Sequence, residues 1–190
     1  MQADEHVLTN ISNLFLQEIK TMELASDWEP KNNKEVRTFE KKIDKRVVAK
    51  AVTLLKIPFE KVFKFFEDAG SITLINKDHM EKFQVLQSYK DFKVVHLLMN
   101  LSGPAHDREV CAVHTVKREG EGKAYVGLKS CDYPLQQEKE SKAKWATVHL
   151  AGFVIDRVDE LTTNLTYISD IDLNGHIPDV IQNGMTNKRV

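Results

Sequence analysis

The sequence is short of the residues that mark several protein classes. Only 2 of its 190 residues are cysteine. Cys111 and Cys131 lie in separate segments, form no CxxC pair and have no second cluster with which to build a tetrahedral zinc site, so neither a disulfide framework nor a metal centre is expected. With 5 prolines and 8 glycines there is little material for long disordered arms, and 42% hydrophobic residues suffice for a core, so a single domain over 1–190 is expected. Net charge is nearly absent. Lys+Arg total 27 against 28 Asp+Glu, which leaves no basic surplus to hold polynucleotide phosphates and argues against a nucleic-acid partner. No apolar run approaches the roughly 20 residues that a membrane-crossing helix needs. The first residues, Met1 to His6, lack the basic flank of a secretion signal, so a cytoplasmic protein is expected. A monomer is expected as well. Nucleophile and phosphate motifs are also missing: there is no GxSxG, HExxH, P-loop or GxGxxG. The acidic Glu119-Gly120-Glu121-Gly122 falls between two strand patterns and reads as a hairpin turn.

What is present is clear periodicity. Leu8, Ile11, Leu14, Phe15, Ile19 and Met22 recur at three- and four-residue spacing, which predicts an amphipathic helix ending before Asp27-Trp28-Glu29-Pro30. Period-two, β-branched patterns over 36–43 and 46–57 predict two strands. Pro58 then suits a first helical turn, where its missing N–H is not needed. Phe59, Val62, Phe63 and Phe66 make one apolar stripe of a short helix over 58–70. Six further strands are predicted at 83–89, 92–101, 109–118, 123–131, 145–155 and 161–173, separated by turn-rich breaks such as Ser102-Gly103-Pro104. Pro178 opens a last helix bearing Val180, Ile181 and Met185. Consecutive strands joined by short turns make an antiparallel sheet, and about eight of them curl under their own twist. The expected fold is therefore α+β, a curved antiparallel sheet gripping a helix, with the helices at the two chain ends covering its concave face.

A curved sheet closed by a helix is either filled by large side chains or left hollow for a ligand. Small residues beside large ones, at Ala49, Ala51, Ala112, Ala124, Gly127, Ala146, Ala151 and Gly152, fit a hollow, but equally fit close approach of a long helix. Three histidines, His96, His114 and His149, sit among apolar neighbours in strands. No spacing makes them a metal site, and a buried, hydrogen-bonded imidazole or a polar contact to a bound molecule is the better reading. Between Lys31 and Lys56 there are nine basic and three acidic residues, a stretch that reads as a solvated strand face or as weak attraction to an anionic membrane.

Four stretches resemble a known family. They are Trp28 followed by Val36-Arg37-Thr38-Phe39; the helix over 58–70; Ser102-Gly103-Pro104 with Asp107-Arg108-Glu109-Val110; and Lys129-Ser130-Cys131 with the run from Val148 to Ile155 and Asp172-Leu173-Asn174-Gly175-His176-Ile177-Pro178. In this order and at these separations they resemble the START family of lipid-binding and lipid-transfer domains, over nearly the whole chain. The resemblance implies a helix-grip fold with an internal hydrophobic cavity and a C-terminal helix inside the sheet. Some positions depart from the family pattern. Asn76-Lys77-Asp78 replaces a tryptophan-aspartate pair, Trp145 stands where the family has arginine, and the last helix is shorter than usual. Sterol carriers of the family pair a buried acid with an arginine, and the matching positions here are Leu97 and His114, so the likeness does not extend to cholesterol.

By that resemblance the domain binds one lipid, a phospholipid, fatty acid or related hydrophobe, and carries it between membranes without an added cofactor. His114 and then His149 are the expected polar contacts, with Leu97, Ala112 and Ala151 beside them. Leu101, Gly103, Pro104, Val180, Ile181 and Met185 are the expected gate, touching the membrane transiently. Arg108 is expected to pair with a carboxylate. A related helix-grip enzyme using a cavity histidine, or a sensor of small hydrophobes, are the competing readings, but no second catalytic group lines up with any histidine.

Overall fold

The apolar stripe at the start of the chain forms α1 (Glu5–Leu24), whose first turn is capped by the Asp4 carboxylate accepting from the His6 amide at 2.9 Å. The computed structural model describes residues 4–33, 35–75, 77–101, 106–134 and 142–174. After α1 come β1 (Glu29–Asn33), β2 (Arg37–Ile43), β3 (Arg46–Leu55), α2 (Phe59–Glu67), α3 (Ser71–Ile75), β4 (Met80–Ser88), β5 (Phe92–Met99), β6 (Arg108–Glu119), β7 (Lys123–Ser130), β8 (Lys144–Trp145), β9 (Thr147–Arg157) and β10 (Thr163–Asp172). The expected last helix, with Val180, Ile181 and Met185, lies outside the described residues, as do Gly103 and Pro104. Among the described residues no helix is long and apolar enough to cross a membrane.

One curved sheet of ten strands results, in the order β1-β2-β3-β10-β9-β7-β6-β5-β4. Every neighbouring pair on that path is antiparallel, and β8 alone runs parallel to β6. Two strands more than the expected eight are present because β1 and β8 carry no alternation to read. β1, Glu-Pro-Lys-Asn-Asn, is polar throughout and is held by the β2 backbone, with a bulge next to Pro30 at the sheet edge.

The helices divide between the two faces. Phe15 and Ile19 of α1 pack on Val48, Tyr125, Leu150, Val154 and Ile168. Phe59, Val62, Phe63 and Phe66 of α2 pack on Ala124, Val126 and Ile155, the alternate residues of the same strands. α1 and α2 therefore sit on opposite sides of the sheet. Ion pairs fix α1 in place, Lys129 to Glu18 at 2.7 Å and Lys123 to Glu23 at 2.6 Å. The Trp28 indole donates to the Met22 carbonyl at 3.1 Å and ties the helix end to β1.

The basic stretch also resolves. Lys31 pairs with Glu40 at 3.2 Å, Lys41 with Asp27 at 2.7 Å and Arg46 with Asp170 at 2.7 Å, while Lys50 lies 5.1 Å over the Trp28 ring. These four of the nine cations are engaged within the fold.

The small residues divide in the same way as the helices. A Cβ added at Gly127 would lie 2.6 Å from the Phe15 ring and 2.4 Å from the Ala151 carbonyl oxygen, and one at Gly152 would lie 2.9 Å from Phe15. At these two positions the reason for smallness is the approach of α1. Gly127→Ala is expected to destabilise by about 2 kcal/mol, because the clash includes backbone that cannot rotate away. Urea unfolding checks it, and an unchanged midpoint would mean that α1 does not press on the sheet here. Ala112, Ala146 and Ala151 lie instead in the apolar cluster of the α2 face.

Candidate ligand-binding face

The register sets which side chains share the α2 face. His114 stands opposite Lys93 on one side and Leu128 on the other, Leu128 stands opposite Ala151, and Ala151 opposite Ser169. Directly opposed residues of an antiparallel sheet point to one face, so these five form a row across β5, β6, β7, β9 and β10. The neighbouring row contains Val95, Ala112 and Ser130. Leu97, Leu101, Val110, Ala112, Leu128, Val148 and Ala151 belong to one buried apolar cluster, against which Ile72 of α3 also packs.

His114 is the polar group in the middle of this apolar surface. It is buried, and burial, reinforced by the Lys93 ammonium, lowers its pKa to about 4 against a partial counter-effect of Asp68 at the end of α2. The imidazole is therefore neutral at physiological pH and offers one N–H donor and one acceptor nitrogen. Such a group can orient a hydroxyl, carbonyl or ester without requiring a charge on the ligand.

Of the residues expected to meet a ligand, Leu97, Ala112, His114 and Ala151 come together on this face, and Leu101 joins the same cluster. His149 does not. The β9–β10 pairing passes from Leu150 opposite Asp170 to Val148 opposite Ile171, which leaves His149 unpaired at a bulge. Its charge acts there on Asp170, together with Lys129 and Glu18, groups of the α1 side. The bulge shifts the alternation so that Leu150 faces α1 while Val148 joins the opposite cluster. His96 lies one position from Leu97 and points to the α1 side as well, 3.7 Å from Glu109. Among the described residues no group of three or more His, Cys, Asp or Glu side chains could hold a metal ion.

Lys93 and Asp68 were not singled out from the sequence. Lys93 was accessible to simple alternation from Leu97, whereas Asp68 reaches His114 only through the docking of α2.

Arg108 is fully buried at the start of β6, and its expected carboxylate partner is replaced by main-chain carbonyls. The guanidinium donates to Asn174 at 3.0 Å and to Asp107 at 3.3 Å, and also to the carbonyls of Leu173 and His106. It thereby clasps the entry of β6 to the exit of β10. The Asn100 amide donates to the His79 carbonyl at 2.8 Å, which brings the link between α3 and β4 to this same end of the sheet. Leu74 and Ile75, 67% and 46% exposed, end α3 there.

Comparison with known proteins agrees with this architecture. The family model described as "START domain" matches residues 27–190, all of the sheet but not α1. No curated protein matches the sequence. Among solved structures, human StAR-related lipid transfer protein 5 superposes with a TM-score of 0.84 at 14% identity, covering 97% of this chain and 91% of that one. Human STARD10 gives 0.78 at 13% identity over 92% of this chain and 74% of that one. A STAR-related lipid transfer protein fragment from Xanthomonas axonopodis gives 0.64 at 16% identity, over 84% and 89% of the two chains.

Proposed function

Because the chain belongs to the START domain family, we propose that its α2 face holds one lipid and that the domain carries that lipid between membranes. The observation that supports this most directly is a broad buried apolar surface with a single neutral imidazole, His114, near its centre. The alanines at 112, 146 and 151 withdraw side-chain volume from that surface where a ligand chain would lie. Burial of each methylene contributes about 0.8 kcal/mol, so an acyl chain of some sixteen carbons gains of order 10 kcal/mol by leaving water for such a site. Bilayer and protein interior are both apolar, so exchange between them is nearly balanced and needs a gate but no fuel.

The gate belongs to the end of the sheet where Arg108 clasps β6 to β10. Leu101 stands at its base, and the segments bearing Gly103, Pro104, Val180, Ile181 and Met185 start from it in the sequence. The exposed Leu74 and Ile75 are the apolar groups offered to a membrane surface beside it.

The test is native mass spectrometry of the purified chain, followed by lipid extraction and by transfer of fluorescent phospholipid and fatty acid between vesicles. One lipid per chain and vesicle-to-vesicle transfer are expected. Replacing His114 with leucine is expected to weaken retention roughly tenfold, the value of one lost hydrogen bond. A chain that co-purifies with no lipid and takes none from either kind of vesicle would refute the proposal.

A further inference from the structure

The two thiols, distant in sequence, meet under the N-terminal half of α1. Cys111 lies on β6 and Cys131 immediately follows β7; the Cys131 amide donates to the Cys111 carbonyl at 3.0 Å, extending the ladder by one step beyond the Ala112–Ser130 pair. Their sulfurs are 3.9 Å apart, and both cysteines are free. They pack in one cluster with Leu8, Ile11, Val94 and Val113 on the α1 side of the sheet.

We infer that Cys111 and Cys131 form a reversible oxidation site, closing to an intrachain disulfide when the protein meets hydrogen peroxide. Facing residues of an antiparallel pair have Cα atoms about 5.5 Å apart, within the roughly 4.4–6.8 Å span that disulfides occupy. Bringing the sulfurs to bonding distance takes side-chain rotation and a small approach of the segment that Cys131 begins, beyond the end of the β6–β7 ladder. The hydrogen bond between the two thiols pulls Cys111 down and pushes Cys131 up, so the first thiolate forms at Cys111.

The reaction is a two-electron oxidation. The Cys111 thiolate attacks one peroxide oxygen, an S–O bond forms, the O–O bond breaks, and the departing hydroxide takes a proton to become water. The product is a sulfenic acid at Cys111. Cys131 then gives its proton to solvent, and its sulfur displaces the sulfenic oxygen as a second hydroxide, which leaves as water with the S–S bond made. Two thiols are oxidised, one peroxide is reduced to two waters, and an added dithiol reverses the result. The bond would pin the segment leaving β7 onto β6, on the side of the sheet away from His114. It is therefore independent of the lipid reading.

The experiment treats the folded full chain with hydrogen peroxide, then alkylates it and maps peptides under non-reducing conditions. The expected outcome is a mass lower by two hydrogens, loss of both alkylatable thiols, a Cys111–Cys131 linked peptide, a raised Tm, and recovery of both thiols with dithiothreitol. Cys131→Ser should stop the reaction at a sulfenic acid on Cys111 that dimedone traps. The parent measurement stands by itself if that variant does not fold. Two thiols still open to alkylation after peroxide, a link between two chains, or sulfinic acids in place of the disulfide would overturn the inference.

Discussion

Phe15→Ala is expected to destabilise the protein by about 3–5 kcal/mol and to lower Tm by roughly 6–20 °C. Phe15 is 0% exposed and its ring lies over two glycines, Gly127 and Gly152. Most large-to-small core changes are softened by neighbours that lean into the void. Here the floor of the void is bare backbone, which cannot lean, so the upper part of the range applies. The same substitution frees the α1 stripe from Tyr125, Leu150 and Val154. Thermal unfolding followed by far-UV circular dichroism measures it. A fall of only a degree or two would mean that α1, the element outside the family match, is an appendage and not part of the cooperative fold.

Acidification should produce an effect of similar size through His114. The folded chain holds this imidazole neutral down to a pKa of about 4, whereas in the unfolded chain it titrates near the ordinary 6.5. As pH falls through 6.5 the unfolded state gains a proton that the folded state refuses, so ν_U exceeds ν_N and stability declines with falling pH. The slope approaches about 1.4 kcal/mol per pH unit, and the loss totals about 3 kcal/mol by pH 4, below which both states are protonated and this group adds nothing more. His114→Gln should flatten that part of the curve. Asp170, raised by burial, acts with the opposite sign but is common to both proteins, so the difference between them isolates the histidine. Urea unfolding at pH 7 and pH 4 decides the matter: parallel curves for the two proteins would show that His114 is not held neutral. Lipid retention should hold over most of this interval and change only near pH 4, where the folded imidazole itself takes up a proton and its one acceptor nitrogen becomes a second donor.

The two predictions rest on parts of the molecule that were unequally legible. The helical stripe from Leu8 to Met22 and the phenylalanines of α2 announce their elements, because a three-to-four spacing of apolar groups has one economical burial. The strands from β2 to β7, and β9 and β10, were readable for the analogous reason, with boundaries displaced by a few residues. β1 was not, since its polar residues bury nothing and its conformation is imposed by the β2 backbone. The two-residue β8 is too short to show a period, and it exists because β6 continues past the end of β7.

For the site, residue types were informative and directions were not. His114, Leu97, Ala112 and Ala151 could be named as candidates, but strict alternation would have grouped residues of β9 wrongly, because the bulge at His149 reverses the count within that strand. Arg108 was expected to meet a carboxylate, and its acceptors are main-chain carbonyls instead. That those acceptors are carbonyls at the end of β10 depends on a meeting of segments far apart in the chain.

By itself the sequence determined the family likeness, the kinds and order of the main elements, and the absence of metal or nucleophile motifs, because local spacing dictates which single elements can bury an apolar side. Tertiary structure alone decided that α1 and α2 take opposite sides of the sheet, that Gly127 and Gly152 serve Phe15 while the alanines serve the other side, and that Lys93 and Asp68 flank His114. Those outcomes follow from strand register and one extra residue at a bulge, and register is set by hydrogen bonds between distant segments.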